Sequence, residues 1–169
     1  MVERVSIFID GSNFYHRLAN LGIREIDLKK LLDLLCGPKR KISNVYYCDA
    51  NFKQQKNPGM YAHQMGWFNK VKTIPNLNFK LYGRNDKNTV KGDDIHLAVE
   101  MVKEAYENTY DTAILVTGDG DFKRAVEVVI GRGKKVENAY FAFSRSNSLN
   151  FVPGIEMDYL ACQCMLVIY

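Results

Sequence analysis

Aspartates at the ends of two β-rich segments are the residues whose types and spacing point most clearly to chemistry. Asp10 ends the apolar run 5–9, and Asp119 and Asp121 follow the apolar run 112–116, among glycines that permit a tight turn. If the two strands are neighbours in a parallel sheet, the three carboxylates converge at one edge. Their mutual repulsion favours a hard cation with oxygen ligands. The pattern therefore predicts a site for Mg²⁺ or Mn²⁺.

The helical wheel of residues 93–108 adds a fourth carboxylate, Asp94. The wheel predicts an apolar face that comprises Ile95, Ala98, Val99, Met101, Val102 and Ala105. It predicts a solvated face that comprises Asp93, His96, Glu100, Lys103, Glu104 and Glu107. Asp94 falls on the apolar side, where an uncompensated buried charge is costly. Metal coordination would explain this position. Capping of the helix N-terminus by Asp94 is the alternative, but Asp93 could serve equally well as the cap, which favours a site role for Asp94.

Helix capping is also the alternative for the aspartates near position 120, because a helix is predicted over 123–130. One cap would account for Asp121 but would leave Asp119 unexplained. Two aspartates flanked by glycines, after the most apolar strand, therefore favour a functional site.

Polar residues beside these aspartates are candidates for substrate binding. Ser12 and Asn13 could bind a phosphate, a water on the metal or Asp10 itself, or could simply cap the helix that follows. Lys91 could neutralise a phosphate or the carboxylates, with a solvated surface lysine as the alternative. Thr117 begins the acidic turn and is also predicted to contact the substrate.

Two predicted loops carry basic residues, Lys53 and Arg84, that could follow the backbone of a bound strand. Aromatic residues near the first loop could stack on bases, and they are Tyr47, Phe52, Tyr61 and Trp67. Burial in the core is the alternative for most of these rings.

Strands and helices alternate along the chain, which predicts the elements that position these residues. Strands are predicted at 5–9, 44–48, 78–82, 112–116 and 135–143, and helices at 13–19, from 28 to Gly37, and at 60–71, 93–108 and 123–130. This alternation predicts an α/β fold, a three-layer α/β/α sandwich with a mainly parallel sheet of about five strands. With no linker or repeat, residues 1–169 are expected to form a single domain.

The composition of the chain indicates which class of ligand the protein could bind. The chain has 169 residues, of which 47% are hydrophobic, and a net charge of +4. Basic residues cluster at 39–41, 53–56, 70–72 and 132–135. A basic surface around an acidic centre would suit a polyanion, and a solubilising surface is the alternative.

Four scattered cysteines do not form the spaced pairs of a zinc site or a disulfide framework, and buried or idle thiols are expected. The apolar runs are far shorter than the ~20 residues that cross a bilayer. No signal peptide is evident, so a soluble cytoplasmic protein is expected.

Three blocks of the sequence resemble the NYN domain, particularly its LabA-like branch. They are residues 8–15 (FIDGSNFY), 91–99 (KGDDIHLAV) and 116–122 (VTGDGDF), in the family's order. The resemblance implies a fold similar to PIN-domain and flap-type nucleases, with a Rossmann-like sheet and an acidic metal centre that acts on phosphodiesters.

The resemblance also implies roles for individual residues. Asp10, Asp94, Asp119 and Asp121 match the family's acidic positions, and Asn13 matches its asparagine. The family often has an apolar residue in place of Asp93 and aspartate in place of Glu100.

The expected function is hydrolysis of RNA, single-stranded by preference, by Mg²⁺ or Mn²⁺ at the four aspartates. The alternative is an RNA-binding or adaptor domain that keeps the metal pocket, turns over little and acts through protein partners. A homodimer is equally open. A phosphatase is less favoured because Ser12 stands where a second aspartate would be needed, and a nucleotide-binding fold because no Gly-rich phosphate loop follows the first strand.

Overall fold

Six parallel strands form one central sheet in the computed structural model, which describes residues 2–83 and 92–166. The strands are β1 (Glu3–Asp10), β2 (Arg40–Ala50), β3 (Leu77–Tyr82), β4 (Thr112–Val116), β5 (Lys135–Tyr140) and β6 (Gly154–Glu156). Their order in the sheet is β3-β2-β1-β4-β5-β6. The α/β fold with a parallel sheet is therefore confirmed, and the sixth strand is a segment of three residues that alternation along the chain did not predict.

Within residues 2–83 and 92–166, six helices flank the sheet. They are α1 (Gly11–Asn20), α2 (Leu28–Cys36), α3 (Pro58–Val71), α4 (Asp93–Tyr106), α5 (Lys123–Gly131) and α6 (Asp158–Gln163). Among the helices of the described residues, none is both long and apolar enough for a bilayer crossing. All four cysteines are free thiols, and three of them are buried.

Both faces of the sheet are buried, as in parallel sheets generally. Ile7 and Ile9 of β1 pack in a core with residues of α1, α2, α3 and α6. Phe8, between them, packs in a second core with residues of α4 and α5. Alternate residues of one strand therefore supply both cores, which accounts for the continuous apolar run at the start of the chain.

The strand order reverses direction between β1 and β4. From β1 the chain builds outward through β2 and β3, and it then returns to place β4 on the other side of β1. In open α/β sheets, ligands bind at the carboxyl ends of the strands beside such a point. Asp10 ends β1 at this position, and residues 117–121, the acidic turn, follow β4.

The orientation of α4 differs from the wheel prediction. Its buried face comprises Leu97, Met101, Glu104 and Ala105, whereas Ile95 and Val99 are 69% and 54% exposed. The prediction was wrong for Ile95, Val99 and Glu104, whereas Met101 and Ala105 are buried as predicted. Glu104 is buried and accepts a hydrogen bond from Asn44 Nδ2 at 3.1 Å and another from the Thr109 hydroxyl. A carboxylate with such donors can occupy a buried face.

Candidate active site at the carboxyl edge of the sheet

Asp10 is held in place by both of its oxygens. Oδ1 accepts a hydrogen bond from the backbone N–H of Asn13 at 3.0 Å, so Asp10 caps α1. Oδ2 accepts one from the Thr117 hydroxyl at 2.9 Å. Burial raises the pKa of Asp10 to about 6, against the lowering effect of these hydrogen bonds, and the nearby charges of Asp93 and Asp49 raise it further.

Thr117 joins β1 to the acidic turn. Its buried hydroxyl donates to Asp10 and accepts a hydrogen bond from the backbone N–H of Asp119 at 3.1 Å. This hydroxyl is therefore used within the protein and orients two carboxylate-bearing segments. The substrate contact predicted for Thr117 stays a prediction, and the structure shows that the hydroxyl also positions Asp10 and Asp119.

The two aspartates of the acidic turn differ in what they contact. Asp119 is half-buried, and its Oδ1 accepts a hydrogen bond from the backbone N–H of Asp121 at 2.9 Å, which caps the short 3₁₀ turn Gly120–Phe122. Asp121 is exposed, and its side chain makes no hydrogen bond within the described residues. Capping therefore accounts for Asp119 and leaves the carboxylate of Asp121 to solvent or a ligand.

Glycines let the acidic turn pack closely against the segment that follows β5. A Cβ at Gly118 would collide with the carbonyl oxygen of Ser144, and a Cβ at Gly120 would collide with the hydroxyls of Ser146 and Ser148. The backbone N–H of Ser146 also donates to the Gly118 carbonyl at 3.0 Å. The position of Asp119 therefore depends on a segment about 25 residues further along the chain.

Asp94 lies in the first turn of α4 and is not its cap. The N-cap position belongs to Gly92, with a φ of 102°, so Asp93 and Asp94 are the first helical residues and neither caps the helix. Asp94 is half-buried. Burial raises the pKa of Asp94 to about 7, and the charges of Asp10, Asp93, Asp119 and Asp121 raise it further. Carboxylates from β1, α4 and the acidic turn therefore repel one another at this edge.

Asp49 is a buried carboxylate of this edge that the sequence analysis did not include. It follows Cys48, whose position in β2 is paired with Asp10 in β1. The Ser12 hydroxyl donates to Asp49 Oδ1 at 2.8 Å, and the Tyr47 hydroxyl donates to Oδ2 at 3.2 Å. Its signal in the sequence was the same as that of Asp10, an aspartate at the end of a strand.

The remaining predicted residues have different outcomes. Ser12, predicted to bind substrate, supports Asp49. The side-chain amide of Asn13 has no hydrogen bond within the described residues. Lys53 is half-buried in the loop after β2, on the same edge of the sheet. Lys91 and Arg84 lie outside the described residues.

The aromatic residues predicted to stack on bases near the first loop fall into two groups, buried and half-buried. Tyr47 and Trp67 are buried, and Trp67 Nε1 donates to the Tyr47 hydroxyl at 2.9 Å. Phe52 and Tyr61 are half-buried. The core alternative therefore holds for Tyr47 and Trp67.

The donors at this edge suit a hard cation better than a soft one. Cys48 is a soft donor at this edge. Burial, followed by the negative charges of Asp93 and Asp10, raises the pKa of the Cys48 thiol to about 12, so the thiol stays neutral. Carboxylate oxygens are the donors that Mg²⁺ and Mn²⁺ prefer. Within residues 2–83 and 92–166, however, no group of three or more His, Cys, Asp or Glu side chains is placed to hold an ion. The residues fit such a metal by chemistry, and binding would require their carboxylates to move closer together.

The fold and this edge of the sheet define a class of protein. Its members are α/β sandwiches with a cluster of carboxylates at the point where the strand order reverses. Within that class, the NYN domain model matches residues 4–152, and the chain therefore belongs to the NYN domain family, of the PIN-like superfamily. This result confirms the family resemblance of the three sequence blocks.

The proteins that are similar to the chain include a curated relative and a protein of known structure. The Low amplitude and bright protein LabA of Synechococcus elongatus is 25% identical over 129 residues, which cover 75% of this chain and 68% of LabA. A crystal structure of a Vibrio parahaemolyticus protein of unknown function matches with a TM-score of 0.70 and 21% identity. That match covers 97% of this chain and 96% of the other, and it supports the fold.

Proposed function

We propose that the protein is a metal-dependent ribonuclease that hydrolyses phosphodiester bonds of RNA, with Mg²⁺ or Mn²⁺ held by Asp10, Asp94, Asp119 and Asp121. The observation that carries the proposal is the mutual repulsion of these carboxylates, which contributes to a pKa of about 7 for Asp94. Membership of the NYN family supports it, because NYN and PIN-like domains are typically nucleases.

The chain's own residues divide the work of such a site between them. Thr117 and the N-terminus of α1 hold Asp10, and Thr117 also holds the acidic turn. The Asn13 amide would bind a phosphate oxygen, and Lys53, in the loop after β2 at the same edge, would lie along the backbone of the strand. When bound, the metal supplies an activated water and neutralises charge on the phosphate.

Cleavage of labelled single-stranded RNA tests the proposal. Wild-type protein and Asp119→Asn are incubated with the RNA in Mn²⁺, Mg²⁺ or EDTA. We expect cleavage that requires metal and that is lost in Asp119→Asn. The matched control is Asp33→Asn, which removes the same charge from an exposed position on α2 and should leave cleavage unchanged.

A second function is favoured by the lack of a preformed metal group within the described residues. The protein would then be an RNA-binding or adaptor domain with little turnover, acting through protein partners or as a homodimer. This function predicts RNA binding that EDTA does not change, together with no cleavage in any metal. Calorimetric titration of Mn²⁺ into the protein adds a direct test, because a ribonuclease site must bind the metal and Asp119→Asn should weaken that binding.

A further inference from the structure

Phe143 presents its whole ring to solvent. Its exposure is 107%, and the next most exposed large apolar side chain of the described residues, Tyr159, is 73% exposed. Phe141, two residues earlier, is buried and packs against Phe14 with ring centroids 5.9 Å apart. Phe143 also has a φ of 57°, in the left-handed region that bulky residues rarely adopt. The backbone therefore turns this ring away from the core.

The segment that carries Phe143 is fixed by hydrogen bonds on both sides. The backbone N–H of Ala142 donates to Asp158 Oδ1 at 2.8 Å, and that of Ser144 donates to the Phe141 carbonyl at 3.0 Å. The Arg145 guanidinium donates to the carbonyls of Leu149 and Val152 at 2.8 and 2.7 Å. Sequence alternation predicted a strand that continues to Phe143, but β5 ends at Tyr140 and this braced loop follows. The exposed ring is therefore held on an ordered segment.

This loop leaves the sheet beside the acidic turn. Because β5 pairs in parallel with β4, both segments emerge at the same edge of the sheet. Ser144, the neighbour of Phe143, packs against Gly118 with no room for a side chain between them, and the N–H of Ser146 donates to the Gly118 carbonyl. An open aromatic ring is thus carried on the same packed unit as Asp119.

We propose that Phe143 is a stacking platform for one nucleobase of a single-stranded RNA bound at the acidic edge. The identity of the ligand rests on the proposed function. An aromatic face stacks on any base, so one exposed ring can bind RNA without sequence preference. A braced loop loses little freedom when the base binds, which favours affinity. The net charge of the whole chain, +4, favours a polyanion such as RNA as the ligand of the protein.

Equilibrium binding of a fluorescein-labelled single-stranded oligoribonucleotide tests the inference, measured in EDTA and also in Mg²⁺ over times too short for turnover. Phe143→Asn removes the ring but suits the left-handed backbone, which asparagine adopts readily. We expect about tenfold weaker binding or more, from the loss of one base–aromatic stack, with an unchanged or higher Tm. Phe143→Tyr should keep wild-type affinity. The control Tyr106→Ala removes a 58% exposed ring at the last residue of α4, on the opposite edge, and should also bind normally.

An oligoribonucleotide with one abasic position identifies the contact. At the stacked position, loss of the base should weaken binding to the wild type and have no further effect on Phe143→Asn. Wild-type affinity of Phe143→Asn, or no RNA binding by the wild type either with or without Mg²⁺, would overturn the inference; the first result would point to a protein partner for the ring. The proposed function fails by a different result, the absence of metal-dependent cleavage by a protein that still binds RNA.

Discussion

Asp10 serves the fold and the proposed chemistry with the same carboxylate. Its oxygens accept hydrogen bonds from the N–H of Asn13 and the hydroxyl of Thr117. Each carboxylate oxygen has a second lone-pair direction, so these bonds still allow a metal to bind. Because the group is buried and pre-oriented, removing its partners should cost stability as well as function.

The free energy of unfolding of the metal-free protein should fall as pH rises from about 4 to about 7, because the pKa values of Asp10 and Asp94 are raised from 3.8 to about 6 and about 7. In this window the folded state retains protons that the unfolded chain has released, so the stabilisation present at low pH is lost as pH rises. Urea titrations in EDTA at about pH 5 and about pH 7.5 measure the change. Asp94→Asn should reduce the difference, and an identical difference in that variant would contradict the assignment.

Thr117→Val should destabilise the protein by about 1–3 kcal/mol, because a buried oxygen of Asp10 and the N–H of Asp119 lose their partner. RNA cleavage should fall with it, since both carboxylates lose their orientation. Thr117→Ser keeps the hydroxyl and should restore most of the activity. Urea unfolding and cleavage rates are measured on the same preparations. A loss in Thr117→Ser as large as that in Thr117→Val would mean that the hydroxyl alone does not account for the effect.

At the scale of elements, α4 has apolar residues on two opposite faces. Leu97 and Met101 are buried against the sheet, whereas Ile95 and Val99 face solvent. A helical wheel cannot distinguish these faces, because both are apolar at helical spacing. The sheet decides between them, since the face that contacts it also brings the first-turn residues Asp93 and Asp94 toward Asp10.

The orientation of α4 is tested by two alanine substitutions of apolar residues two positions apart. Leu97→Ala should lower the free energy of unfolding by about 2–5 kcal/mol, because it leaves a cavity in the core. Val99→Ala should change it by less than about 0.5 kcal/mol, because the side chain is exposed. Chemical denaturation of both variants gives the comparison. The reverse ranking would support the face predicted by the wheel.

At the scale of the whole molecule, the strand order 3-2-1-4-5-6 determines where a ligand can bind. β1 and β4 are far apart in the chain, yet Ile9 pairs with Val116, which places Asp10 beside the acidic turn. The protein as a whole is basic, with a net charge of +4, although this edge of the sheet is acidic. Long-range attraction of RNA and local binding of a cation are therefore compatible in one molecule.

RNA affinity should fall steeply with salt, because an attraction based on basic residues releases counterions from the RNA. For a single strand, log K should fall with log salt by about 0.7 per phosphate contacted. Fluorescence anisotropy between about 50 and about 200 mM NaCl in EDTA measures this slope. Affinity that is independent of salt would mean that the basic residues only solubilise the protein.

The sequence by itself determined the fold class and the main acidic residues, because both depend on local patterns. The alternation of apolar strands and amphipathic helices predicted the parallel sheet, and aspartates directly after strands predicted where Asp10 and Asp119 would lie. These patterns can be recognised in the sequence because each strand end and each turn depends on residues that are neighbours in the chain.

Only the tertiary structure decided the features that depend on contacts between distant segments. Asp49 belongs to the acidic edge because β2 pairs with β1, and Glu104 is buried because Asn44 and Thr109 supply its donors. Phe143 is exposed because β5 ends early, in a loop that packs on Gly118. In each case the partner lies on another element, so burial and hydrogen bonding, rather than local propensity, determine the outcome.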